Sequence, residues 1–167
     1  EPELMGLVAL MLLQQSREPA RFTPDGTIIL MDDQDRALWD REMIAEGLAL
    51  LDKAIRHRRP GAFQIQAAIA ALHARAARPE DTDWVEIEAL YRALEHMQPS
   101  PVVTLNRAVA VSKVEGPQAA LDLVEPLAPA LGNYFYFHGV RGGLLMDLGR
   151  VAEAQDAFAI AISRATT

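Results

Sequence analysis

Apolar residues recur every three to four positions along most of this 167-residue chain, the spacing of helices that bury one face. The run Leu4 to Leu13 predicts a buried core helix within 1–16. Pro19 ends it, because proline lacks the amide proton and disfavours helix at the residue before it. A second stripe, Trp39, Met43, Ile44, Leu48, Leu51 and Ile55, predicts a helix whose start is crowded by Asp32, Asp33 and Asp35. Carboxylates there cap free amides and suit the positive end of the helix dipole. That helix runs out in Lys53, Arg56, His57, Arg58 and Arg59 before the stop signal Pro60-Gly61. An alanine-rich helix over 63–75 follows. After Pro79, Asp81, Thr82 and Asp83 offer caps for a fourth helix, with Glu86 as capping-box partner and Trp84, Ile87, Leu90, Tyr91 and Leu94 as its buried face.

One stretch breaks the helical period. Thr23-Pro24-Asp25-Gly26 is a turn signal, and the flanking Arg21-Phe22 and Thr27-Ile28-Ile29-Leu30 predict a short β-hairpin arm over 20–31. Two strands alone are marginal, so such an arm must lie against helices.

From Pro99 the pattern repeats. Helices predicted near 102–114, 117–128, 133–147 and 151–164 form two helix-turn-helix units with a period of about 33 residues, that of tetratricopeptide repeats. In the second unit Gly142 and Gly143 supply small residues where helices cross. Leu148-Gly149-Arg150 turns the chain, and Ala154, Phe158 and Ala161 mark the returning helix. In the first, Gly116 holds the turn, with Ala108 and Ala110 before it and Ala119 and Ala120 after. The predicted fold is all-α: antiparallel helical hairpins stacked as a tetratricopeptide-like right-handed solenoid, carrying one hairpin arm. A single helical domain over 1–167 would comprise the core helix 1–16, the arm 20–31, helical pairs over 33–97 and two repeats over 99–165.

Composition narrows the chemistry. Half the residues are apolar and 23% are charged, so the chain is globular. The net charge of −7 argues against a domain that binds nucleic acid as a whole. Cysteine is absent, which removes disulfides, thiol nucleophiles and thiolate metal sites and fits a cytoplasmic location. The run Leu4 to Leu13 is too short to span a membrane and no basic segment precedes it. The opening Glu1-Pro2-Glu3, without methionine, reads as a segment of a longer protein. His57, His73, His96 and His138 show no metal-ligand spacing, and no phosphate-binding glycine loop or catalytic triad is suggested. The expectation is no catalytic residue, no metal, no cofactor and no enzymatic activity.

Two constellations are candidates for binding. Asp33, Asp35 and Arg36 with Trp39, Asp40 and Arg41 interleave acids and arginines around a tryptophan. Arginine can clamp carboxylates in bidentate fashion, bracing the arm or holding a partner. Asn106 and Arg107 interrupt an apolar run in the leading helix of the first repeat, where stacked repeats line a concave surface. A pocket lined by Trp39, His73, Trp84 and Tyr91 would suit a small-molecule ligand. Those aromatics serve equally as core.

Several segments together resemble a known family. They are Leu30 to Arg36 with Trp39-Asp40, Ile44 to Leu48, Gln66 to Ala74, Asp81 to Trp84, and Ser100 to Val103 with Leu105 to Val111. In order, they resemble the C-terminal extension of bacterial extracytoplasmic-function sigma factors of the sigma-70 type that carry a tetratricopeptide-like tail. The resemblance implies a regulatory domain that modulates promoter-dependent transcription in cis. It further implies contact with the protein's own sigma regions, core RNA polymerase or both, and with promoter DNA only through upstream regions absent from this sequence. The alternative implied function is small-molecule sensing that controls the attached sigma regions.

Overall fold

A computed structural model describes residues 1–165, and their regular secondary structure is helical. The chain divides into two compact units, 1–83 and 84–167. The boundary thus falls inside the 33–97 stretch that the sequence groups together.

The first unit is built on α1 (Pro2–Gln15), α2 (Arg41–Ile55) and α3 (Ala62–Arg75), with α1 packed against both of the others. Small residues let them approach. A Cβ on Gly6 would stand 2.8 Å from Gln64 of α3, and one on Gly47 would stand 3.0 Å from Leu13 of α1. Ala9, Leu13, Trp39, Leu51, Ala67 and Ala71 are buried in one cluster between them.

The segment joining α1 to α2 departs from expectation twice. Residues 20–31 contain no strand; they make one isolated antiparallel bridge, Phe22 to Ile28, with Thr23 N–H donating to the Thr27 carbonyl at 2.9 Å. The Asp25 carboxylate accepts from the Thr23 and Thr27 hydroxyls and from the Thr27 amide. These local bonds hold a tight turn in place of a ladder. Phe22, Ile28 and Leu30 are exposed, so no apolar face holds longer strands together.

The second difference concerns the start of α2. Asp40, not the earlier aspartates, is its N-cap, accepting from the Glu42 and Met43 amides at 3.0 and 3.1 Å. Asp32 and Asp33 lie in a 3-10 turn (Met31–Asp33), and Asp35 caps the next one (Arg36–Leu38) through the Ala37 amide at 3.0 Å. Trp39 therefore precedes α2 and belongs to no helical stripe, yet it is buried.

The second unit runs through α4 (Trp84–Met97), α5 (Pro101–Glu115), α6 (Pro117–Val124), the single turn α7 (Ala128–Leu131), α8 (Phe135–Asp147) and α9 (Val151–Ala165). The packed pairs are α4 with α5, α5 with α6, α6 with α8, and α8 with α9. Leu105, Val111, Val124, Phe137 and Leu145 are core. Burial follows the sequence period: Val111 and Leu144, Leu121 and Ala154, and Val124 and Ala157 are buried pairs about 33 residues apart. The helix expected over 117–128 stops at Val124, because Pro126 cannot donate and the chain tightens into a 3-10 turn.

Both repeat turns use a glycine with positive φ, in different ways. Gly149 (φ 76°) follows α8 in a Schellman motif, its amide donating to the Met146 carbonyl at 2.9 Å and the Arg150 amide to that of Leu145 at 2.9 Å. Gly116 (φ 100°, ψ 168°) ends α5 and starts α6 in a conformation almost confined to glycine. Of the pair Gly142 and Gly143, only the first is at a crossing: its Cβ would lie 2.7 Å from the Phe158 ring of α9, whereas Gly143 faces open space.

Candidate functional site

The first constellation forms a buried corner of the first unit. Arg36 is only 7% exposed. Its Nη1 donates to the carbonyls of His73 and Ala76 at 3.0 and 2.8 Å, so the cation sits on the C-terminal end of α3, the negative end of that helix dipole. The guanidinium carbon lies 4.6 Å from the centroid of the Trp39 ring. Among the described residues the buried Nε and Nη2 have no hydrogen-bond partner, and the guanidinium lies over the indole face. Trp39 Nε1 in turn donates to Gln34 Oε1 at 3.1 Å, and Gln34 Nε2 donates to the Ile29 carbonyl at 3.1 Å.

Arg41 Nη2 donates to the Arg36 carbonyl at 2.9 Å, and the Asp40 amide donates to the Ser16 carbonyl at 2.8 Å. The corner thus joins α1, α2 and α3. Among the described residues Asp33, Asp35 and Asp40 form no bidentate clamp with either arginine; both arginines bind main-chain carbonyls, which a buried corner must satisfy in any case. Asp33 and Asp35 are exposed beside it.

Electrostatics at this corner favour neutral His73. Burial, with the positive charges of Arg17 and Arg36, pushes its pKa down to about 4 against the opposing effect of Asp32. Burial and the neighbouring Arg21 and Arg36 lower Arg17 to about 10.

In the second unit Arg107 is enclosed by α4. Its Nη1 lies 3.5 Å from Glu88 Oε1 and its Nε 3.4 Å from Glu95 Oε2. Thr104 Oγ1 donates to Glu95 Oε2 at 2.7 Å, and Arg92 Nη2 reaches both Glu88 oxygens at 2.6 and 2.5 Å. Glu88 is 5% exposed, so Arg107 ties α5 to a buried carboxylate. Asn106 is half-buried and takes no part in this network. Sequence reasoning picked out Arg107 but missed Glu88 and Glu95, whose only local signal is the helical spacing of Glu88 to Arg92.

The four residues of the expected pocket divide between the units. Trp39 and His73 belong to the first, Trp84 and Tyr91 to the second. Lys113 Nζ lies over the Trp84 ring at 5.7 Å. Burial, then Tyr136, pushes the Tyr91 phenol up to about 12, so it stays protonated. Among the described residues no group of three histidine, aspartate or glutamate side chains is placed to hold a metal ion. No helix among them is long and apolar enough to cross a membrane.

Residues 1–55 match the model of a family of unknown function, DUF6596. The chain is also 68% identical over 166 residues to a protein of Rhizobium meliloti (strain 1021) named Uncharacterized protein R00370. No solved structure matches the chain. That alignment takes in 99% of this chain and 39% of the relative, so the chain spans well under half the length of the curated relative it matches.

Proposed function

We propose that this chain is a regulatory, protein-interaction domain of an extracytoplasmic-function sigma factor, acting in the cytoplasm on the sigma regions or on core RNA polymerase. The observation that carries the reading is the second unit. Its helices pack in sequence, its buried positions repeat at about 33 residues, and a glycine with positive φ turns the chain within each repeat. We read this unit as tetratricopeptide-like repeats stacked in a right-handed solenoid, and 20–31 as an arm held by its single bridge. Repeats of this kind present surfaces to proteins. The relative's greater length leaves room in that protein for DNA-binding regions. A net charge of −7 suits docking on basic, promoter-binding surfaces.

Small-molecule sensing has less support. Trp39, a key residue of that reading, already has its ring against Arg36 and its Nε1 on Gln34.

Calorimetric titration of this chain against the separately expressed sigma regions, at two salt concentrations, tests the proposal. Binding that weakens at high salt, and that Asn106→Ala or Asp33→Lys reduces, supports it. No binding at either salt concentration refutes docking on the sigma regions and leaves core polymerase as the contact to measure next.

A further inference from the structure

Helix α2 packs inward through Ile44, Gly47, Leu51 and Ala54. Its other side is open: Glu42, Ala45, Glu46, Ala49, Lys53 and Arg56 are all exposed, at spacings that place them on one face. Along that face the charge changes sign, from two glutamates through two alanines to Lys53 and the C-cap Arg56, with Asp52 the exception in the second half. None of these four charged side chains forms an ion pair among the described residues. Along the helix the opposite charges stand apart, by about 10 Å between Glu46 and Lys53 and about 20 Å between Glu42 and Arg56. The helix dipole favours each end's sign but acts only over the terminal turn, and Glu46 lies beyond it.

We propose that this face pairs with the same face of a second copy of the chain, the two α2 helices lying antiparallel across a twofold axis. Such an arrangement sets Glu42 of each copy against Arg56 of the other, and Glu46 beside Lys53. Symmetry makes every pair twice and closes the assembly at two copies. Ala49 falls at the centre with Ala45 beside it, where small side chains allow close approach. Asp52 is the one residue of the face with the wrong sign, since this register brings it against Glu46. The inference stands apart from the sigma-factor reading and uses only charges on this helix.

Sedimentation velocity of the full chain, from about 5 to about 500 µM in about 50 mM salt, tests it. The expected result is a dimer whose share grows with concentration and whose Kd weakens about tenfold in about 500 mM salt, because exposed ion pairs are screened. Lys53→Glu with Arg56→Glu yields a monomer, as does Glu42→Lys with Glu46→Lys, and mixing the two variants re-forms a dimer of one copy of each. Asp52→Lys tightens the wild-type dimer about threefold. The mixing result separates pairing from any dipole effect on folding, and Asp52→Lys with the salt series decides the matter should a double variant fold poorly. A chain monomeric throughout, a dimer indifferent to salt and to both exchanges, or folded exchange variants that stay apart when mixed overturns the proposal.

Discussion

Glu3 shows how a single residue ties the first unit together. Gly61, the N-cap of α3, has no side chain to satisfy the free amides behind it. Glu3 of α1 reaches across instead: its Oε2 accepts from the Phe63 amide and its Oε1 from the Gln64 amide, each at 3.0 Å. A Cβ on Gly61 would collide with that carboxylate. Gly61→Ala should therefore expel the cap and lower stability by about 1–2 kcal/mol. In a Glu3→Ala background the same change should cost much less, a coupling that thermal unfolding of the four-variant cycle measures. His73 gives a second residue-scale expectation. Its folded pKa of about 4 lies below the unfolded value of 6.5, so the unfolded chain binds more protons between those limits. Stability should fall as pH drops from about 6.5 towards 4. Melting curves across that window should show a shallower decline for His73→Gln, with the charges of Arg17, Arg36 and Asp32 unchanged. Equal slopes for the two proteins would place the pH dependence elsewhere.

Between elements, the same residue types differ in worth according to what they join. Arg92 and Arg107 both bind Glu88, but the Arg92 side chain is 65% exposed and on the same helix, whereas that of Arg107 is 17% exposed and bridges α5 to α4. Removing Arg92 should change stability little, because a solvated side chain paired within its own helix is screened by water. Arg107→Ala leaves a buried carboxylate short of its interhelical partner and should cost about 3 kcal/mol, read from denaturant midpoints. Glycines diverge likewise. Gly142→Ala must push the Phe158 ring aside and should cost at least about 1 kcal/mol, while Gly143→Ala meets nothing and should be neutral or stabilising. The sequence made the pair Gly142-Gly143 visible but not which member faces α9, because a helix's rotation is set by packing rather than by its own residues. Helix positions themselves were legible, since amphipathic period, proline stops and the Gly116 and Gly149 turns are local signals. The corner around Arg36 was legible only as a cluster. Its bonds run to His73 and Ala76, and nothing near Arg36 in the chain announces carbonyls some forty residues on.

At the scale of the whole chain, the division at residues 83 and 84 was hidden from the sequence for a related reason. The signals at 76–83, a proline and three capping candidates, are those of any helix-to-helix turn, and only the distribution of packing marks a boundary. The exposed part of the connecting segment, around Arg78 and Glu80, is held by short local turns. There the Asp81 amide donates to the Arg78 carbonyl at 3.0 Å and the Thr82 amide to the Pro79 carbonyl at 3.2 Å, and the Arg78–Asp81 pair is largely solvated. Such segments open locally at far lower cost than core helices. A glutamate-specific protease should therefore cut first after Glu80, which is exposed there. Its competitors are few, because Glu1, Glu18 and Glu125 each precede a proline, a bond such proteases resist, and most other glutamates lie within α-helices. Under limited digestion the chain should yield fragments 1–80 and 81–167, both helical by circular dichroism and both slow to degrade further. Glu115, at the end of α5 before Gly116, is the informative alternative. A first cut there would mean that the repeat turn opens more readily than the connection between units, and that the second unit lacks the cohesion its buried Leu105, Val111, Val124 and Phe137 imply.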